Sequence, residues 1–115
     1  MEYRFGEFLH VATNRFIPTL RVEEPLSELS ILSSVDDIED LDCYIEQIED
    51  IINRDVPDSS ELGGIFIQGI LWGSDISTLI DLDNPKFIDK NKEFKTIDLL
   101  ALCKKWREFI IYRSR

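Results

Sequence analysis

Between Val35 and Asn53 the apolar residues Ile38, Leu41, Ile45, Ile48 and Ile52 recur at spacings of three and four. That period sets five aliphatic side chains on one face of an α-helix and leaves Asp36, Glu39, Asp40, Asp42, Glu46, Glu49 and Asp50 on the other. A helix divided in this way belongs at the boundary of a core, packed on one side and wet on the other. Ser34 is the expected N-cap: with Asp37 it forms an S-x-x-D start related to the capping box, and Asp36 and Asp37 in the first turn complement the helix dipole. The like-charge pairs Asp42–Glu46 and Glu46–Asp50, each at i,i+4, cost about 0.2–0.5 kcal/mol apiece. A helix that carries this repulsion invites a functional explanation.

A second helix is predicted from Thr96, again an N-cap type, to about Arg113, with Leu99, Leu102, Cys103, Trp106, Phe109 and Ile110 on its apolar face. Lys104, Lys105, Arg107 and Arg113 lie in its later turns, where positive charge suits the dipole. Between the helices, Asp55 to Gly64 reads as a turn-rich linker and Ile65 to Trp72 as a strand. Gly73-Ser74-Asp75 reads as a turn, and Ser77 to Leu82 as a second strand, antiparallel to the first. Asn84-Pro85 turns the chain again, and Phe87-Ile88 with Glu93-Phe94-Lys95 flank a polar turn as a further hairpin. At the N-terminal end Phe5, Phe8, Leu9, Ala12 and Phe16 match a helical stripe over Glu2 to Phe16, while Gly6 and the aromatic content leave a strand as the alternative. Pro18 interrupts the following stretch, Thr19 to Val22 reads as extended, and Pro25 leads into a Leu26, Leu29, Leu32 repeat suited to a turn of helix. Together these elements predict an α+β fold: a small antiparallel sheet packed with two main amphipathic helices in a single domain spanning 1–115.

Composition agrees with one packed domain, since 115 residues with 43% apolar content suffice for one core and lack the signature of disorder. The longest apolar run, Ile65 to Trp72, is interrupted by Gln68 and Gly69 and falls far short of the roughly 20 residues of a membrane span. The N-terminal Met-Glu-Tyr-Arg-Phe-Gly-Glu has no charged-then-apolar export pattern, so a cytoplasmic location is expected. Cys43 and Cys103 each lie within a helical pattern and are expected as two buried thiols, with neither disulfide nor zinc spacing.

The net charge of −10 is unevenly placed. Glu23 to Glu61 holds 14 acids against the single base Arg54, while the remainder carries an excess of three positive charges. Concentrated negative charge repels nucleic-acid phosphates and steers basic proteins inward, so direct nucleic-acid binding is disfavoured and a cationic protein partner is favoured.

Motifs for chemistry are missing. His10 is the only histidine, which rules out a two-histidine metal site. No G-x-S-x-G elbow, G-x-G-x-x-G or Walker loop occurs around Gly63, Gly64, Gly69 or Gly73. The calcium-loop resemblance of Asp81-Leu82-Asp83 and of Asp89 to Glu93 fails at the sixth and twelfth positions, which are Lys86 and Lys92 in one frame and Phe94 and Leu100 in the other. No enzyme, cofactor or metal is expected, and the acidic helix remains the candidate site. Glu39, Asp42, Glu46, Glu49 and Asp50, with neighbouring Asp55 and Asp58, offer carboxylates to the lysines and arginines of a partner.

From Leu62 to Arg113 the chain resembles the small immunity proteins of bacterial contact-dependent growth inhibition and related polymorphic toxin systems. The likeness rests on an apolar strand ending in Leu71-Trp72-Gly73, the acidic strand Leu79 to Asp83, the polar hairpin Phe87 to Phe94, and the closing segments Thr96 to Leu100 and Trp106 to Ile110. The resemblance implies a cytoplasmic protein that binds the toxic C-terminal domain of a cognate effector, often a nuclease, one to one, and blocks its active site or substrate approach. The alternative from a different class is an acidic interaction adaptor or nucleic-acid mimic outside toxin immunity.

Overall fold

The computed structural model describes residues 1–54, 69–80, 83 and 90–113. Its first element is a β-hairpin, β1 (Tyr3–His10) and β2 (Arg15–Val22), paired antiparallel from Tyr3 opposite Val22 to His10 opposite Arg15 without a bulge. The helical reading of residues 2–16 is therefore corrected to its strand alternative. A helical stripe would need Phe8, Leu9 and Phe16 buried, yet all three are exposed at the distal end of the hairpin. At the proximal end the alternation is that of a strand: Tyr3 and Phe5 face inward with their cross-strand partners Val22 and Leu20, while Arg4 is exposed. Asn14, at φ 52°, closes the connection in the left-handed region that asparagine tolerates better than most residues.

Pro18, expected to interrupt, lies within β2. The amides of Leu20 and Val22 point away from β1, donating to Ser33 Oγ at 3.0 Å and Ser30 Oγ at 2.8 Å. By the two-residue period of a strand, position 18 faces the same outer side, where no ladder hydrogen bond is lost to a proline. The serines come from a 3-10 helix, Ser27–Ser34, longer than the turn expected from the leucine repeat. At three residues per turn, Leu26, Leu29 and Leu32 line up toward the core and Ser30 and Ser33 line up along the edge of β2.

Helix α1 (Ile38–Asn53) buries Leu41, Ile45, Ile48 and Ile51, with Ile38 and Ile52 half-buried. Its N-cap is Asp37, whose Oδ1 accepts from Glu39 N at 2.8 Å, and Glu39 and Asp40 fill the first turn. Ser34 does not cap it, because its hydroxyl donates to Ile31 O at 2.7 Å and closes the 3-10 helix instead. Cys43 is exposed, contrary to expectation: two residues beyond Leu41, it is turned about 200° around the axis and away from the core.

The remaining strands, β3 (Ile70–Leu71), β4 (Ile76–Leu79) and β5 (Glu93–Lys95), form a separate antiparallel sheet in the order β3-β4-β5. The fold is thus α+β, with two small sheets where one was expected. Of the strand expected over Ile65 to Trp72, residues 65–68 lie outside the described residues, as do Asp81 and Leu82 of the strand expected over Ser77 to Leu82 and the Phe87-Ile88 arm of the second hairpin. The described partner of β5 is β4, Ser77 opposite Phe94. Helix α2 (Thr96–Arg113) begins directly from β5 and packs along α1. Thr96 is its first residue rather than a cap preceding it, and its hydroxyl turns back to donate to Gly73 O at 2.6 Å.

The core lies between α1, α2, the 3-10 helix and the inner faces of both sheets. Trp106 at its centre is fully buried, donates through Nε1 to Val35 O at 2.8 Å, and packs with Phe5 and Phe109 at centroid distances of 5.8 and 5.9 Å. The indole thus joins the hairpin, α2 and the segment leading into α1.

Candidate functional site: the acidic side of α1

Burial of the aliphatic stripe fixes where the carboxylates of α1 project, and they divide into two groups. Asp42 and Glu49, seven residues apart, lie on the flank beside α2. Arg107 Nε donates to Asp42 Oδ1 at 2.6 Å, with Nη2 3.5 Å from Oδ2, and Lys104 Nζ sits 3.8 Å from Glu49 Oε1. As the acid number rises from 42 to 49 the base number falls from 107 to 104, the pattern of an antiparallel helix pair. Two of the expected binding carboxylates therefore serve as latches within the fold, and Lys104 and Arg107 answer carboxylates of α1 as well as the dipole of their own helix.

The second group forms an outer ridge. Glu39, Cys43, Glu46 and Asp50 follow one another at spacings of four, three and four, so their side chains are neighbours along one line of the exposed surface. Asp50 is held by Arg54, Nε to Oδ1 at 3.0 Å, one turn on. Glu39, Glu46 and the adjacent Asp40 are exposed and make no ion pair among the described residues. Asp36 and the capping Asp37, both exposed, extend the negative surface past the N-terminus of the helix. Next to the ridge, Tyr44 has its phenol pushed above its ordinary range by partial burial and then by the charge of Asp40. Asp55 and Asp58 lie outside the described residues.

What such a surface can do follows from its chemistry. Carboxylates on a well-packed helix are fixed in spacing, accept hydrogen bonds only, and attract guanidinium and ammonium groups over several ångströms. Among the described residues no group of three His, Cys, Asp or Glu side chains is gathered as a metal site. His10, at the hairpin turn, has Nδ1 2.9 Å from Thr13 Oγ1. No helix among the described residues is long and apolar enough to cross a membrane.

Local sequence reasoning missed the division of the acids into latch and ridge. The signal was present in the bases of α2: Lys104 and Arg107 share a helix face, and antiparallel packing brings that face to acids spaced seven apart. No family model, curated protein or solved structure matches the chain.

Proposed function

We propose that this chain is a binding protein that captures and neutralises a cationic protein, in the manner of an immunity protein holding a basic toxin domain. The observation that carries the reading is the surplus of charge on α1: Glu39, Asp40 and Glu46 are exposed and make no ion pair among the described residues, although Asp42, Glu49 and Asp50 each make one. An oppositely charged partner relieves the repulsion within this ridge, and the field of the ridge speeds encounter. A nuclease is the apt target, because a surface that binds phosphates also binds ordered carboxylates. The resemblance of Leu62 to Arg113 to immunity proteins supports the same reading from another part of the chain. No catalytic step and no cofactor enters it.

The test is capture of the products of neighbouring genes on the tagged chain, followed by calorimetric titration of the retained protein and assay of its activity. A basic toxin fragment bound one to one and silenced on binding is the expected result. Reversing Glu39 and Glu46 to lysine is expected to slow association by about tenfold or more at low salt, with a smaller effect at high salt. Retention of basic proteins without loss of any toxic activity would instead favour an acidic adaptor, and an association rate indifferent to both reversals would remove the ridge from the interface.

A further inference from the structure

The two edges of the N-terminal hairpin are treated differently. Each outward position of β2 from Phe16 to Val22 has at least one backbone group engaged or, at Pro18, no amide hydrogen to offer. Phe16 O accepts from Arg113 Nη2 at 2.9 Å, Pro18 has no amide hydrogen, and the Leu20 and Val22 amides are taken by Ser33 and Ser30. On β1 the same parity turns the backbone groups of Tyr3, Phe5, Glu7 and Leu9 outward, and among the described residues these groups have no hydrogen-bond partner. β1 carries no proline, lysine or bulge to protect it, and of its two charged residues Glu7 is held by Arg113 at 2.7 Å and Arg4 lies 3.7 Å from Glu23. An apolar groove on the inner face is lined by Phe5 of β1 and by Lys105, Glu108, Phe109, Ile111 and Tyr112 of α2. At the far end of the hairpin Phe8, Leu9, Val11 and Phe16 are exposed.

We propose that the free edge of β1 is an interface for a second copy of this chain, joined through antiparallel β1–β1 pairing about a two-fold axis at Gly6. The register follows from symmetry and charge. A two-fold axis normal to a sheet must pass between a residue and its own copy, which restricts the centre to Phe5, Gly6 or Glu7 if most of the strand is to pair. Centring on Glu7 sets Tyr3 opposite Val11, beyond the end of the strand, and brings together two Glu7 side chains each held by Arg113 at 2.7 Å, while centring on Phe5 leaves Leu9 without a partner. Centring on Gly6 pairs all four outward residues, Tyr3 with Leu9 and Phe5 with Glu7 of the other copy, and supplies about eight backbone hydrogen bonds. It sets Glu2 opposite His10 and Arg4 opposite the ring of Phe8, an acid facing the one histidine and a cation facing an aromatic. Leu9, exposed in the single chain, then enters on the face of the sheet that holds Phe5 and the groove. At the axis the two Gly6 residues form a non-hydrogen-bonded pair, the closer type of approach at about 4.5 Å between Cα atoms, which a glycine pair admits readily. The resulting four-stranded sheet has only β2 edges at its rims, where Ser30, Ser33 and Arg113 already engage the backbone. This self-pairing is independent of the capture of a cationic partner.

Sedimentation velocity on the full chain between ~10 and ~500 µM tests it, a range suited to an interface of modest area. The expected result is a rise from the 13.4 kDa chain mass toward twice that value. Leu9→Lys, a charge added at an exposed edge position, is expected to weaken association by about tenfold or more with the circular dichroism unchanged. In a Cys43→Ser background, the double variant R4C/F8C is expected to form an inter-chain disulfide under mild oxidation, while R4C/H10C, which matches the register centred on Glu7, is not. A monomer at all concentrations, undiminished association of Leu9→Lys, or cross-linking of the second pair in preference to the first would each overturn the proposal. Should Leu9→Lys fail to fold, the cross-linking pair decides alone.

Discussion

Asp42 and Arg107 meet at 2.6 Å across the seam between the two long helices, and this pair turns one carboxylate of the acidic stripe into a structural group. Both side chains are about a third to a half exposed, at 49% and 34%, so solvent screens the attraction. A double-mutant cycle of Asp42→Asn and Arg107→Gln is expected to return a coupling of about 0.5–1 kcal/mol, the upper part of the range for exposed pairs. The contrast lies one turn along: Glu46→Gln removes two like-charge i,i+4 contacts and is expected to leave stability unchanged or raise it by a few tenths of a kcal/mol, roughly the strength of such pairs. Denaturant titration of the two variants side by side checks the division of latch from ridge.

A second prediction concerns the polar group buried where β4 meets α2. Thr96 Oγ1 lies 2.7 Å from Ser77 Oγ and donates to Gly73 O, while Gly73 N donates to Ser77 Oγ at 3.3 Å. Ser77 and Thr96 are both fully buried, so water cannot replace a lost member. Thr96→Val keeps the shape and removes the hydroxyl, leaving its partners short of hydrogen bonds at a cost of about 1–3 kcal/mol. Thr96→Ser keeps the hydroxyl and is expected to lose less. Thermal unfolding orders the three proteins, with a shift of about 4 °C per kcal/mol for a chain of this size.

The two cysteines separate by reactivity. Burial pushes the Cys103 thiol up to about 12, so it stays protonated and inaccessible, whereas Cys43 stands on the exposed ridge. One thiol per chain is expected to react with a disulfide reagent at about pH 8 in the native protein, and the second only on unfolding. Mass mapping should place the first label on Cys43. Two fast labels would show that α2 opens readily, and protection of Cys43 by a captured partner would locate that partner on the ridge.

How much of this was legible in the sequence depends on whether each decision is made locally. The period of Leu41, Ile45 and Ile48 and that of Leu99, Leu102, Cys103 and Trp106 revealed both helices, because burial of one stripe is a local property. The N-terminal hairpin was obscured because half of its apolar residues are exposed and lie outside the core. Phe8, Leu9 and Phe16 follow no core, and their spacing imitates a helix by coincidence. Capping of α1 was ambiguous since Ser34 and Asp37 are both good caps, and the choice was made by the 3-10 helix, which engages Ser34 first. The latch between Asp42 and Arg107 spans 65 positions and depends on helix packing, which no window of residues contains.

The last prediction is a pH dependence carried by Glu28 and Lys92. Lys92 Nζ reaches from just before β5 to Glu28 Oε1 at 2.8 Å and Pro25 O at 2.7 Å, tying the 3-10 helix to the second sheet. Partial burial pushes the Glu28 carboxyl up, but the hydrogen bond and charge of Lys92, with a backbone hydrogen bond, outweigh it and hold the group below its ordinary value. A carboxyl depressed in the folded state binds its proton more readily when unfolded. Its contribution to stability is therefore complete above the unfolded pKa and fades as pH falls through the folded one. The pair is substantially exposed on the glutamate side, which limits the contribution to about 1 kcal/mol or less. Glu28→Gln is expected to remove that contribution at neutral pH and to converge with the unaltered protein as the pH is lowered below the carboxylate range. Parallel denaturant curves measured from neutral to acidic pH, with a gap that does not narrow, would show that Glu28 acts through packing and not through its charge.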